Sequence, residues 1–588
     1  MSNGDESNGD EDKRDVLYMI SDSEGCMNDK NNQSTAMCDP KFFEHITNLM
    51  TNNNKMKFAF LGDYFDQGQR VYETIMGMMD LYNKFGKERV FIILGNRDVN
   101  KLRFMYELTH NVIPLTDPQD RWKDAWQKYY DGLPSFKDDS FGKVDHINHI
   151  LETSMGAKKN IGITSFTPPE KRTTDVNDTA LSYFNAAFNI GDSNENIKTD
   201  DKSPPPLDIL EFYKMSMICH YDEGHNTFLS HAGGWYRDAF FNQKYIDYLL
   251  NDDTKEKNTE ENNIVKTIDV DPKDYLSLME KYRRALFDNT EMNDEHKAKK
   301  IKDSVDAYNK LLDDVVNELV ILPNKPRVFS KKFVLLQALG LKPDSEDSKY
   351  RSVIQSCSQV VCSGTSPDNF NVTGEKHNNN IDDLFNLLIG SGVKYVSYGH
   401  KPICHYVPLI YQRQDSQNRK ITFISNDTSN GNRYKEKLGE HIVTASSIEK
   451  KEDKFISKVE IIVTVVDPES TIKMNSILST NKGLLGPFDE NNSPPQYKTE
   501  KNETKLVYKD VIVTMNGKSN YNPLKLSDHS QSENATQTAA DATQAAANTT
   551  NQGGKRRTVR KNKRRNITKR KNNKRKSNKR LRKTKYRR

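Results

Sequence analysis

The chain predicts an α/β fold, and three observations carry that prediction. Five apolar runs of strand length each end in Gly, Asp, Asn or His: VLYMISDSEG (16–25), KFAFLGDYFDQG (57–68), RVFIILGNRD (89–98), NTFLSHAGG (226–234) and KYVSYGH (394–400). The first three alternate with helical segments, the pattern of a parallel sheet. Further β-rich runs follow His400 at close spacing, as antiparallel strands do. Parallel strands deliver the residues at their carboxyl ends to one edge of the sheet. Asp22, Glu24, Asp63, Asn96, His231 and His400 are therefore expected in one crevice. Their mixture of oxygen and nitrogen donors suits a pair of divalent metal ions.

Each element has its own signal. Residues 1–14 are polar and acidic and too poor in apolar side chains to fold. Strand 16–22 is followed by a helix over 39–51, with Asp39-Pro40 as cap and first position. After strand 57–62, Val71, Ile75, Met78, Met79, Tyr82 and Phe85 share one helical face, and Gly86 ends the helix. The methionines on that face read as core filler. Strand 89–94 completes a right-handed βαβαβ unit. Residues 99–225 form a long insertion with helical pieces near 101–132 and 178–190. Residues 235–390 form a second, with an amphipathic helix over 303–321 through Val305, Tyr308, Leu312, Val315 and Leu319. Both insertions leave from strand ends that carry candidate ligands, so they are expected over the site as a lid or partner surface.

The ordered motifs GDYFDQG, GNRD, SHAGG and YGH resemble the calcineurin-like metallophosphoesterases, including the phosphoprotein phosphatases. That family carries D-x-H, G-D-x-x-D-R-G, G-N-H-D/E, an H-A/G-G turn and a G-H turn in the same order. The resemblance covers about five short segments within residues 16–430. It implies a four-layer αββα sandwich of two mixed sheets with helices outside. The runs at 406–411, 420–427, 441–446 and 454–468 are then antiparallel strands of the second sheet. It also implies two metals (Mn, Fe, Mg or Zn) that lower the pKa of a water for in-line attack on phosphorus. By position Asp63 bridges the metals, Asp22 and Glu24 serve the first with His400, and Asn96 and His231 serve the second.

The chain departs from the family at three places. Glu24 stands where the first motif has His, which makes that site harder and more negative. Arg97 stands where the family has the His that protonates the leaving group, and Arg cannot act as an acid. It can bind phosphoryl oxygens instead, with Asp66 as its partner. Gln67 replaces a phosphate-binding Arg, whose charge Arg70 or Arg97 can supply. Loss of a general acid costs about 10²–10⁴-fold, so acidic leaving groups such as phenols and anhydrides are favoured. His220, His225 and His405 read as structural, and Arg237 and Asp427 rank below the six candidate ligands.

Charge divides the chain sharply. Residues 555–588 hold 21 Lys and Arg and no acid, while the rest carries 67 basic against 82 acidic residues. The basic arm has almost no aromatic or apolar residues, so it neutralises phosphates rather than reading bases. Nucleic acid or another polyanion is its expected partner, and a phosphorylated molecule that of the globule. A low-complexity Ser/Thr/Ala/Gln/Asn linker spans 527–554, and 469–526 is a C-terminal extension with strand signals near 505–514. Six scattered cysteines form no CxxC pair, which argues against a zinc ribbon and a disulfide scaffold and fits a reducing compartment. No apolar run reaches membrane-spanning length, and the N-terminus lacks a secretory core, so an intracellular site is expected: nucleus, virus factory or virion. The Asn- and Lys-rich composition suggests an AT-rich genome, such as that of a large DNA virus or a protist. Two rival functions remain open on sequence: a catalytically impaired scaffold or packaging factor that works through its tail, and a nuclease.

Overall fold

Asp15–Ile20 (β1), Lys57–Leu61 (β2) and Val90–Ile93 (β3) are buried along nearly their whole length, as parallel strands covered on both faces must be. They pair in parallel, Tyr18 opposite Phe58 and Phe60 opposite Ile92. The computed structural model describes residues 14–23, 38, 40–65, 68–110, 144–145, 147–148, 151, 161–190, 204–232, 297–321, 332–333, 336–337, 385, 388–400, 408–428, 442–452, 454–463, 496–499, 502–506 and 511–515. The chain divides into a unit Met1–Leu524 and a unit Lys525–Arg588, and the second lies outside the described residues.

Helices Pro40–Asn52 (α1) and Val71–Phe85 (α2) connect the three strands. α1 buries Phe42, Phe43, Ile46 and Met50; α2 buries Val71, Ile75, Met78, Met79 and Leu81. Each such side chain contributes about 1.5–3 kcal/mol when fully withdrawn from water. A Cβ on Gly77 would collide with the Phe43 ring, so the two helices pack at glycine distance. Arg89 ties the α1–β2 turn to β3, donating to the Met50, Asn53 and Met56 carbonyls at 2.7–3.0 Å.

The remaining strands are Ser216–Met217 (β4), Cys219–Asp222 (β5), Thr227–Ser230 (β6), Tyr395–Tyr398 (β7), Leu409–Gln414 (β8), Lys420–Ser425 (β9), Ile442–Lys451 (β10), Lys454–Val463 (β11), Gln496–Thr499 (β12), Asn502–Leu506 (β13) and Val511–Met515 (β14). They build two mixed seven-stranded sheets, β14-β11-β10-β1-β2-β3-β4 and β12-β13-β8-β9-β7-β6-β5. The sheets meet through β2 with β6 and β3 with β5, and α2 packs on β3. This is the expected α/β sandwich of two mixed sheets with helices.

Two parts of the expected topology differ. β10 and β11 belong to the first sheet, where β10 runs antiparallel to β1, and β9 lies parallel to β7. Alternating apolar residues mark a strand without naming its neighbour, which only the register against the core decides. β4 and β5 were not anticipated. They are short, and the chain passes from one sheet to the other between them at Ile218.

The remaining helices are Asn96–His110 (α3), Ile161–Thr164 (α4), Asp178–Ala187 (α5), Ile209–Met215 (α6) and Lys297–Ile321 (α7). Asn177 and Asp208 cap α5 and α6, accepting from Ala180 N–H and Glu211 N–H at 2.8 and 2.9 Å. Phe104 of α3 meets Phe184 and Phe188 of the first insertion, and Phe166 packs on the same two rings. α7 lies on β4, β5 and α6. Its Asn309 accepts from Ile218 N–H at 2.8 Å and donates to the Cys219 carbonyl at 2.9 Å, closing the backbone where the chain changes sheet. The described parts of both insertions pack on α2, α3 and the β4–β5 edge; the rest, where a lid or partner surface is expected, lies outside the described residues. Cys38 is buried and disulfide-bonded, while Cys219 is buried and free. The bond depends on proximity in space, which scattered spacing does not reveal. Among the described residues no helix is long and apolar enough to cross a membrane.

Candidate metal centre

Five of the six sequence-predicted ligands lie at one end of the sandwich, each just past a strand. Asp22 follows β1, Asp63 follows β2, Asn96 opens α3 after β3, His231 follows β6 and His400 follows β7. Asp22, Asp63 and His400 adopt left-handed backbone conformations, with φ of 54°, 56° and 72°. That conformation costs a non-glycine residue about 1–3 kcal/mol, and the surrounding bonds must hold it.

Those bonds are visible. Asp22 N–H donates to the Gly62 carbonyl at 3.0 Å, and Gly399 N–H to the His231 carbonyl at 2.8 Å. His400 N–H donates to Asp22 Oδ2 at 2.9 Å. Ser21 Oγ–H bonds both Asp22 Oδ2 and the Leu61 carbonyl. Gly95 lies so close to Asp63 that a Cβ there would strike the carboxylate and its backbone nitrogen. Glycine is required because two ligand loops share that space.

Asp98 organises these loops, and sequence reading gave it no role. It is fully buried. Its carboxylate accepts from the backbone N–H of Asp63 at 2.8 Å, Tyr64 at 2.9 Å, Phe65 at 3.3 Å and Gly95 at 2.7 Å. Burial and the Asp63 charge push this carboxyl up to about 6, against the pull of Lys101 and the Gly95 N–H. Tyr213 of α6 donates to the Asp98 carbonyl at 2.6 Å, and Gln337 to the Val99 carbonyl at 2.7 Å. The insertions therefore brace the first turn of α3 from behind. The signal in the sequence was the Asp two residues after Asn96, whose short side chain can reach back to a preceding loop.

Four donor atoms converge. His231 Nδ1–H donates to the Leu61 carbonyl at 2.6 Å, which fixes the tautomer and turns Nε2 inward. Nε2 lies 3.1 Å from His400 Nδ1, 3.3 Å from Asn96 Oδ1 and 3.4 Å from Asp63 Oδ1. Ligand atoms of Asp63, His231 and His400 all lie within 4.8 Å of one another. Atoms about 2.1 Å from a shared ion in tetrahedral array lie about 3.4 Å apart. The spacing and the donor set thus fit one divalent ion. Burial alone would lower the His231 pKa, but Asp63, Asp22 and the Leu61 carbonyl carry it up to about 10. Burial would raise the Asp63 carboxyl; His231, Arg97 and His400 instead hold it well below the ordinary range. A proton on Nε2 thus stands where a cation would.

The other sequence candidates are placed as follows. Arg97, in the first turn of α3, pairs with Asp63, with Nε 3.3 Å from Asp63 Oδ2; the expected partner Asp66 lies outside the described residues. The His400 ring lies beside His231, and its backbone N–H bonds Asp22, the residue the sequence grouped it with. Arg70 faces Glu73 at 4.0 Å. His220 stacks on Phe91, its pKa lowered to about 4 by burial, and His225 is buried against Asp222. Asp427 is buried just past β9. Glu24, Asp66, Gln67, Arg237 and His405 lie outside the described residues.

No family model matches the chain, and no curated protein matches it. Among solved structures it is similar to a cold-active protein-tyrosine phosphatase of a psychrophilic Shewanella species, with 10% identity, 76% of this chain and 77% of that chain covered, and a TM-score of 0.25. A likeness that slight carries no argument about activity.

Proposed function

We propose that the chain is a metal-dependent phosphoester hydrolase of the calcineurin-like kind. The convergence of Asp63 Oδ1, Asn96 Oδ1, His231 Nε2 and His400 Nδ1 carries the reading. A divalent ion bound there supplies Lewis acidity toward a phosphoryl oxygen and an attacking water. The chain's own residues do the rest. Leu61 presents the Nε2 lone pair of His231 by holding the other ring nitrogen. Asp98 keeps the Asp63 and Asn96 loops in register. Arg97, one-sixth exposed, offers a permanent positive charge to phosphoryl oxygens and no proton to the leaving group. Asp22 and Glu24 are the residues through which a second ion would enter, as the sequence resemblance has it. The basic arm 555–588 brings polyanions to the globule.

The test is a manganese-reconstituted sample assayed against aryl phosphates of graded leaving-group pKa, with Asp63→Asn as control. Rates rise steeply as the leaving group becomes more acidic, because position 97 supplies no proton. Asp63→Asn falls to background while remaining folded. A flat dependence overturns the role of Arg97, and turnover surviving in Asp63→Asn overturns the site.

A further inference from the structure

Asp63 turns its two carboxylate oxygens to different neighbours. Oδ1 lies 3.4 Å from His231 Nε2 and accepts the Arg97 backbone N–H at 3.2 Å. Oδ2 lies 3.3 Å from Arg97 Nε. From this division we propose that the Arg97 guanidinium occupies the place of a second metal. The centre then holds one divalent ion, on Asp63 Oδ1, Asn96, His231 and His400, with a permanent organic cation on the other Asp63 oxygen. The inference rests on the metal reading above and narrows it.

Arg97 is anchored at both ends of its first bonds. Its backbone N–H is tied to Asp63, and Lys101 Nζ donates to its carbonyl at 3.3 Å. The atom that meets Asp63 is Nε, the donor nearest the backbone, so the charge cannot swing away while the anchors hold. Side-chain exposure is 16% for Arg97 and 3% for Asp63, so the pair lies largely out of water. A guanidinium does not shed its charge at working pH. A divalent ion shared by both Asp63 oxygens would have to sit against that like charge.

The Asp22 side of the site points the same way. Asp22 Oδ2 is taken by the Ser21 hydroxyl and by His400 N–H. His400 Nδ1, a nitrogen a second ion would draw on, lies 3.1 Å from His231 Nε2. The substitution of Arg for the family's His thus changes the metal count as well as removing an acid.

The full chain, stripped with a chelator and titrated with Mn2+ by calorimetry and by electron paramagnetic resonance, tests this. Wild type takes one ion per chain with the signal of an isolated ion. Arg97→Gln takes a second, with a spin-coupled signal, and Arg97→Lys stays at one. Asp22→Asn added to Arg97→Gln returns the count to one. Two ions in wild type overturn the inference and leave the hydrolase reading standing. One ion in a folded Arg97→Gln also overturns it, since Arg97 then excludes nothing. No ion in wild type overturns both. Should Arg97→Gln fail to fold by circular dichroism, the wild-type and Arg97→Lys counts decide.

Discussion

The two ends of the sandwich bring together the same residue types with opposite outcomes. At the end away from the ligand turns, Lys57 at the start of β2 bonds Asp222 of β5 at 2.6 Å, and His225 Nδ1 bonds the same carboxylate at 2.6 Å. That cluster contains its own cation and joins one sheet to the other. At the ligand end, His231 also bridges the sheets, through the Leu61 carbonyl. Yet its inward nitrogen meets Asp63, Asn96 and His400 atoms that all accept. A buried set of acceptors facing acceptors needs a proton or a metal ion to be stable. The far cluster joins the sheets through its own ion pair; the near one is the candidate metal-binding group. The lesson is that the count of His and Asp does not mark a site, whereas several ring and carboxylate acceptors turned toward one point do.

Changes that separate the two ends sharpen this contrast. The largest effect is expected from Asp98→Asn, which leaves one fewer anionic acceptor for four backbone N–H groups. Metal affinity falls about 10–100-fold, measured by calorimetry, with little change at the far end. Lys57→Met should cost about 2 kcal/mol in denaturant unfolding, because Asp222 stays buried with its cation removed. Manganese binding is unaffected by it, and a loss of binding there would break the comparison. Acid should reveal the same charge. Burial would raise the Asp222 carboxyl, but the bonds from His225 and Lys57 depress it to about 2. Its contribution is present above the unfolded value of about 4 and is lost as pH falls through about 2, worth about 2 kcal/mol. Lys57→Met flattens that window in pH-dependent unfolding. The smallest change is Asn309→Ala, expected to cost about 1 kcal/mol through the lost bonds to Ile218 and Cys219 and to leave both clusters intact.

Much of this arrangement was legible in the chain. Asp22, Asp63, Asn96, His231 and His400 stand directly after apolar runs, so a parallel sheet had to bring them to one edge. The buried face of α2 followed from its period, and Gly86 marked its end. Other features were hidden because they depend on tertiary neighbours. β10 and β11 read as strands, but their place beside β1 rests on a register that local pattern does not encode. β4 and β5 are too short to show a period. Asp98 looked like one more acid in a motif; only the fold shows four backbone donors aimed at it. Asn309 sits in a helix whose apolar stripe was clear, and nothing local says that its polar face closes a strand crossing.

The left-handed turns at Asp22, Asp63 and His400 have an evolutionary side. Glycine would relax the main chain at each and delete a functional group in the same step. Folding is therefore held below the optimum this scaffold could reach, and an occupied centre returns the deficit as resistance to unfolding.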